Sequence, residues 1–170
     1  MYGASEHTRK LMERFRHLQF AAVVSDVSDS GVAAGGADPA GASGDSATSA
    51  ADSRYEASVA NDRCGDSVRL LVWLDATGER ILQLRHHSVG CSICRVSADF
   101  LCEAAVGMRL DDLRDLADRV REWQGDADST AAVPLPQLEL FQELRGTRSR
   151  ARCLLLAWEA AERLCGEVAG

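Results

Sequence analysis

The run SVRLLVWLDATGERILQLRHH, residues 67–87, constrains the fold of this chain more than any other stretch. Its two arms flank ATG, with Gly78 at the expected turn. In the first arm Val68, Leu70, Val72 and Leu74 alternate onto one face, while Arg69, Leu71 and Trp73 take the other. A hairpin with one apolar face needs a cover, and the rest of the chain reads as helices that can supply it. YEASVA, residues 55–60, adds a short strand ahead of the hairpin. Within residues 6–24, Leu11, Phe15, Leu18 and Ala22 are spaced by four, three and four, one stripe of an N-terminal helix. After SVG the period changes, and Ile93, Ser97, Phe100, Leu101, Ala104 and Met108 share one helical stripe. LDDLRDLADRVREW turns Leu110, Leu113, Leu116, Ala117 and Val120 inward and loads acids at its start, as a helix dipole favours. GDADSTAAVPLP ends it, QLELFQELR is a further short helix, and CLLLAWEAAERLC begins the last one. The expected class is α+β: a small antiparallel sheet of about three strands packed against an N-terminal helix and several C-terminal helices.

Between the first helix and the strands, residues 25–53 collapse into Ala, Gly, Ser and Asp. Too few large apolar groups are present to offset the ordering entropy, so this segment is expected to be a disordered acidic loop. It separates residues 1–24, the first helix, from residues 54–170, the body of the domain. Residues 26–62 hold seven acids against Arg54, so most of the formal net charge of −7 sits there. No basic face marks a nucleic-acid binder. The charged start MYGASEHTRK lacks a signal-peptide core, and FAAVV is too short to span a bilayer. A cytoplasmic location follows, with no membrane partner, and there thiols stay reduced.

The six cysteines are therefore core filler, metal ligands or reactive thiols before they are disulfides. Cys64 sits in NDRCGD, a turn before a strand, with Gly65 to bend the backbone and Asp66 two residues on. Cys91 follows Gly90 at a strand-to-helix junction, where the helix end favours the thiolate. Cys153 opens the last helix after RGTRSRAR, and Arg145, Arg148, Arg150 and Arg152 meet no acid between residues 144 and 158. That field also favours thiolate. Three thiols and one carboxylate make four ligands, a set that suits Zn²⁺ or an iron–sulfur cluster. Spacing alone does not decide between this and buried structural thiols, because the gaps match no zinc-finger pattern.

In order, NDRCGD, then GCSIC opening a helix, then SRARC with Trp158 five residues past the cysteine, resemble the U-type iron–sulfur scaffold family. The resemblance spans residues 56–165 and lies nearer the SufU branch than the IscU branch, on the long helical stretch before the third cysteine. It implies that Cys64, Asp66, Cys91 and Cys153 hold Zn²⁺ or a transient 2Fe–2S or 4Fe–4S cluster. It further implies that the protein accepts persulfide sulfur from a SufS-like cysteine desulfurase and serves downstream iron–sulfur acceptor proteins. By the same analogy Cys153 is the sulfur-receiving thiol, Arg150 assists the exchange, and a zinc-dependent sulfurtransferase activity becomes conceivable. Arg152 stands where the family has Lys or His, and keeps the charge but cannot coordinate.

The other candidates have plainer readings. Cys94 completes CSIC, a redox pair with Cys91 or an alternate ligand, or else simply a small residue at a helix start. Cys102 and Cys165 read as core filler. His86 and His87 read as solvated strand-end residues, Asp99 and Glu103 as an exposed helix side, and Trp73, Trp123 and Trp158 as packing. Two rival functions stand beside iron–sulfur assembly: a structural zinc site serving protein contact, and a thiol oxidoreductase using Cys91 and Cys94.

Overall fold

A computed structural model describes residues 5–22, 54–125 and 132–169. The acidic loop expected over 25–53 lies outside the described residues. Helix α1 spans Glu6–Arg16. Strands β1 (Arg54–Asn61), β2 (Asp66–Leu74) and β3 (Ile81–Val89) form one antiparallel sheet in chain order. Then come α2 (Ser92–Ala105), α3 (Leu110–Gly125), a 3-10 helix (Pro136–Leu144) and α4 (Arg148–Ala169). The α+β class read from the hairpin and the helical stripes is what the chain adopts. No helix among the described residues is long and apolar enough to cross a membrane.

The strand alternation sets the layers. Val68, Leu70, Val72 and Leu74 are buried beside Ala57, Val59, Ile81 and Leu84. Helices α2 and α4 cover that face, α4 over β1 and β2, α2 over β3. Helix α3 packs on α4, and Phe141 of the 3-10 helix meets Phe100 edge-on at 6.0 Å between ring centroids. A three-part hydrogen-bond clamp fixes α2 against α4. Ser97 Oγ donates to the carbonyl of Leu154 at 2.7 Å and accepts from Trp158 Nε1 at 3.1 Å. Trp123 and Trp158 are buried, as packing residues should be; Trp73 is half-buried beneath the Arg54 guanidinium.

Three expectations are corrected here. The first helix ends at Arg16, well short of residue 24. Tertiary contacts claim the backbone beyond it: the amides of Gln19 and Phe20 both donate to Asp99 Oδ1 at 2.8 Å. Ala22 N–H then donates to the His86 carbonyl at 2.7 Å, and His86 N–H to the Phe20 carbonyl at 3.1 Å, along the edge of β3. Second, Asp99 is not on an exposed side but fully buried, and Glu103 beside it is half-buried. Arg14 bridges them, with Nε 2.7 Å from Asp99 and a terminal nitrogen 2.7 Å from Glu103. Third, His86 is not solvated. It is buried between Ser88 Oγ at 2.9 Å and Asp99 Oδ1 at 3.5 Å, whereas His87 is exposed as expected.

Burial pushes the Asp99 carboxyl up, but His86, the Phe20 amide and Arg14 together outweigh that and hold it below the ordinary carboxylate range. A carboxylate tied this way contributes stability that is complete above about pH 4, its unfolded value, and is lost as pH falls through the lower folded value. Asp99→Ala leaves the amides of Gln19 and Phe20 without their acceptor and the half-buried Arg14 with Glu103 alone, and is expected to cost about 3 kcal/mol. Denaturant titrations over the acid range check both points: the wild type loses stability below about pH 4, and the variant, already weakened, loses less of it there.

Candidate metal centre

Cys64, Asp66, Cys91 and Cys153 come from three separate places, and local backbone chemistry sets each. Between β1 and β2 the chain turns over NDRCGD. The carbonyl of Asn61 accepts from the amides of Cys64 at 3.2 Å and Gly65 at 2.9 Å, and Asn61 Oδ1 accepts from the Arg63 amide at 3.3 Å. This side-chain-to-backbone turn, closed by Gly65 at φ +73°, lifts Cys64 into solvent and returns the chain so that Asp66 begins β2 opposite Asn61. Asn61 itself is buried. It opens the NDRCGD motif, and an asparagine three residues before the cysteine is a recognisable turn-former.

Asp66 is the hub. Its carboxylate is buried, and it accepts the Cys91 amide at 3.1 Å and the Cys91 thiol at 3.4 Å, with the thiols of Cys153 and Cys64 also donating to it. Burial acts to raise its pKa, but these donors prevail and hold it below the ordinary carboxylate range. Cys91 is the N-cap of α2, an exposed thiol turned toward Asp66. Gly90 makes that approach possible. At φ +141°, a Cβ there would sit 2.3 Å from Asp66 Oδ1.

The ligand atoms of Cys64, Asp66 and Cys153 all lie within 4.8 Å of one another, and Cys91 joins them through its bonds to Asp66. Cys153 differs from its sequence reading in two respects. Helix α4 starts at Arg148, so Cys153 lies in its second turn and does not open it. Nor does the arginine field leave it ionised: burial first, then the Asp66 hydrogen bond and the nearby Cys91, push its thiol well above the usual range. The reason is direction. Cys153 faces inward, while Arg148, Arg150 and Arg152 are exposed, and Arg152 leans on Glu159, 3.4 Å away, one residue past the acid-free window. Arg150 is exposed in the first turn of α4 and forms no ion pair among the described residues.

The remaining thiols face the core. Cys94 is fully buried, and burial, then Asp66, Cys91 and Cys64, push it up to about 12. Cys102 and Cys165 are buried too, Cys165 donating to the Leu110 carbonyl at 3.5 Å. Filler is their role in this fold.

The donor chemistry fits a thiophilic cation. Three thiols gathered around a buried, ionised carboxylate are poor company for one another as anions, and a positive centre among them removes that conflict. The same set fits a thiolate-ligated cluster.

Comparison with known proteins meets this geometry. The family model described as NifU-like N terminal domain matches residues 8–124. That stretch includes Cys64, Asp66 and Cys91; Cys153 lies beyond it, so its place beside them rests on the geometry above. The chain is 28% identical over 100 residues to the iron–sulfur cluster assembly scaffold protein IscU of Streptococcus pyogenes serotype M1, covering 59% of this chain and 62% of that one. Against the protein of the same name from Thermotoga maritima it is 23% identical over 99 residues, 58% of this chain and 68% of that one. The chain thus spans about 62% of the length of the streptococcal relative. In fold it is similar to the crystal structure of a SUF-system iron–sulfur scaffold protein from Fervidobacterium islandicum AW-1, with TM-score 0.62 and 17% identity over 95% of this chain and 96% of that one.

Gly90→Ala is expected to force Asp66 aside and to cost about 2 kcal/mol, a fall of roughly 4–8 °C in Tm. Gly65→Ala meets no neighbouring atom and pays only the positive-φ penalty, about 1 kcal/mol. Thermal unfolding of the two variants side by side checks the difference; equal losses would mean that Gly90 is not holding Asp66 in place.

Proposed function

The chain belongs to the NifU-like N-terminal domain family, and on that premise we propose that it serves iron–sulfur cluster assembly, holding zinc or a nascent cluster on Cys64, Asp66, Cys91 and Cys153 and accepting persulfide sulfur from a cysteine desulfurase. The observation that carries this reading is the open face of the site. Two of its three thiols, Cys64 and Cys91, are exposed, while Asp66 and Cys153 are buried beneath them. A purely structural zinc site is closed and favours all-sulfur or sulfur–nitrogen ligation. Here one position belongs to a carboxylate, a harder and weaker partner for a thiophilic ion, and that suits exchange.

When bound, the metal holds its thiol ligands as thiolates at neutral pH. The residues do the rest. Cys153 is the acceptor: its sulfur attacks the outer sulfur of the donor's persulfide, a new S–S bond forms, and the donor's inner sulfur leaves as thiolate. Its burial protects the thiol from oxidation until the partner uncovers it. Arg150, exposed one turn before Cys153 in the same helix, assists by attracting an anionic donor. Asp66 keeps the assembly labile, accepting hydrogen bonds from the thiols in the free protein and yielding its position during transfer.

Protein purified without oxygen is expected to carry about one zinc ion per chain, colourless and without acid-labile sulfide, or else iron with sulfide and a brown colour. Either result supports the reading, and the two separate the sulfur acceptor from the cluster scaffold. Cys153→Ser is expected to lose the metal or its sulfur acceptance; absence of any metal in the wild type, with no change in that variant, overturns it. Asp66→Ala is expected to hold a bound cluster longer and to slow sulfur transfer about tenfold, which single-turnover transfer measurements would show.

A further inference from the structure

The exposed side of the centre opens into a cleft of about 710 Å³ whose charge is opposite to that of the chain as a whole. Arg63 comes from the NDRCGD turn, Arg148 and Arg152 from the start of α4, and the sulfur ligand Cys64 forms part of the wall. Asp62 is the one acid among the described lining residues. Arg152 is shared with Glu159, whereas Arg63 and Arg148 enter no ion pair among the described residues. These two, far apart in sequence, line one cleft with the Cys64 thiol and meet no carboxylate within ion-pair distance among the described residues.

We infer that this cleft binds a low-mass thiol carrying two carboxylates, and that such a thiol collects the sulfur. This rests on the proposed sulfur-acceptor function and names where the sulfur goes. Guanidinium forks match carboxylates in bidentate pairs, so two unpaired arginines suit a ligand with two carboxylates. The volume lies within the range of small-molecule sites. A thiol anchored there lies against Cys64, whose sulfur is within 4.8 Å of that of Cys153. The transfer needs no external oxidant or reductant. The bound thiolate attacks the outer sulfur of a Cys153 persulfide, the S–S bond to Cys153 breaks, and Cys153 leaves as thiolate while the small molecule departs as the persulfide.

Two probes test it on the zinc-loaded full chain. S-methylglutathione has both carboxylates but no free thiol, so its binding is independent of sulfur chemistry. Calorimetry is expected to show saturable binding that weakens with added salt and falls about tenfold in the Arg63→Gln/Arg148→Gln double variant, whose exposed substitutions should leave Tm unchanged. Persulfide-loaded protein should then pass sulfur to glutathione faster than to 2-mercaptoethanol at equal thiolate concentration, and the double variant should lose that preference. No saturable binding, binding unaffected by the double variant, or no preference for glutathione overturns the inference. So does selective binding of a hexaglutamate peptide, which would make the cleft a reader of acidic protein segments. Arginine-dependent S-methylglutathione binding by a chain that accepts no persulfide supports the anion cleft and sinks the sulfur-acceptor function instead.

Discussion

A carboxylate taken out of water must be surrounded by donors, and at Asp66 that requirement organises the neighbourhood. The buried anion needs the Cys91 amide, so the start of α2 must come to it; it needs the backbone beside it bare, so residue 90 has no side chain. It draws in the thiols of Cys64, Cys91 and Cys153 from a turn, a helix cap and a helix interior. What looks like a metal centre is thus already assembled by hydrogen bonds around one oxygen donor. The same logic acts a second time at Asp99, which has no metal chemistry to explain it. There the anion recruits Arg14, two backbone amides and His86, and through them ties the N-terminal segment to α2 and to the edge of β3.

What could be read in advance, and what could not, divides along this line. The hairpin was legible because its alternation is local, and Val68 to Leu74 do line the inner face. The cysteines were legible because their neighbours, Gly65, Asp66 and Gly90, lie within two residues of them. Asp99 was misread because a single apolar stripe on α2 leaves an opposite side that looks free; α1 and residues 17–22 cover that side, and nothing local announces it. The early end of α1 has the same origin, since the amides of Gln19 and Phe20 serve a carboxylate some eighty residues away. Cys153 failed for a subtler reason. Counting arginines along the chain ignores which way a helix points them, and burial outweighed a field that faces outward.

The abundance of arginine also finds structural use. Arg14 lies over Phe100 at 5.1 Å, Arg95 over Phe15 at 4.9 Å and Arg145 over Trp123 at 5.1 Å, each measured to the ring centroid. A planar, weakly hydrated cation can lie flat on an aromatic face, and a lysine does so less well. In this chain those contacts cover three rings, of which Phe100 and Trp123 are buried and Phe15 is half-buried.

The clamp of Ser97, Leu154 and Trp158 has a consequence for how such chains can vary. It locks α2 to α4 one residue along from Cys153 and two turns into the helix that Cys91 caps, so the separation of these two thiols is measured by the clamp and not by the polypeptide between them. Among the described residues between them in the chain, α3 packs on α4 and the 3-10 helix on α2, and neither adds a thiol or carboxylate to the centre. The clamp thus uncouples the ligand geometry from α3 and the 3-10 helix, and a change confined to those two elements leaves the distance between Cys91 and Cys153 set by Ser97, Leu154 and Trp158.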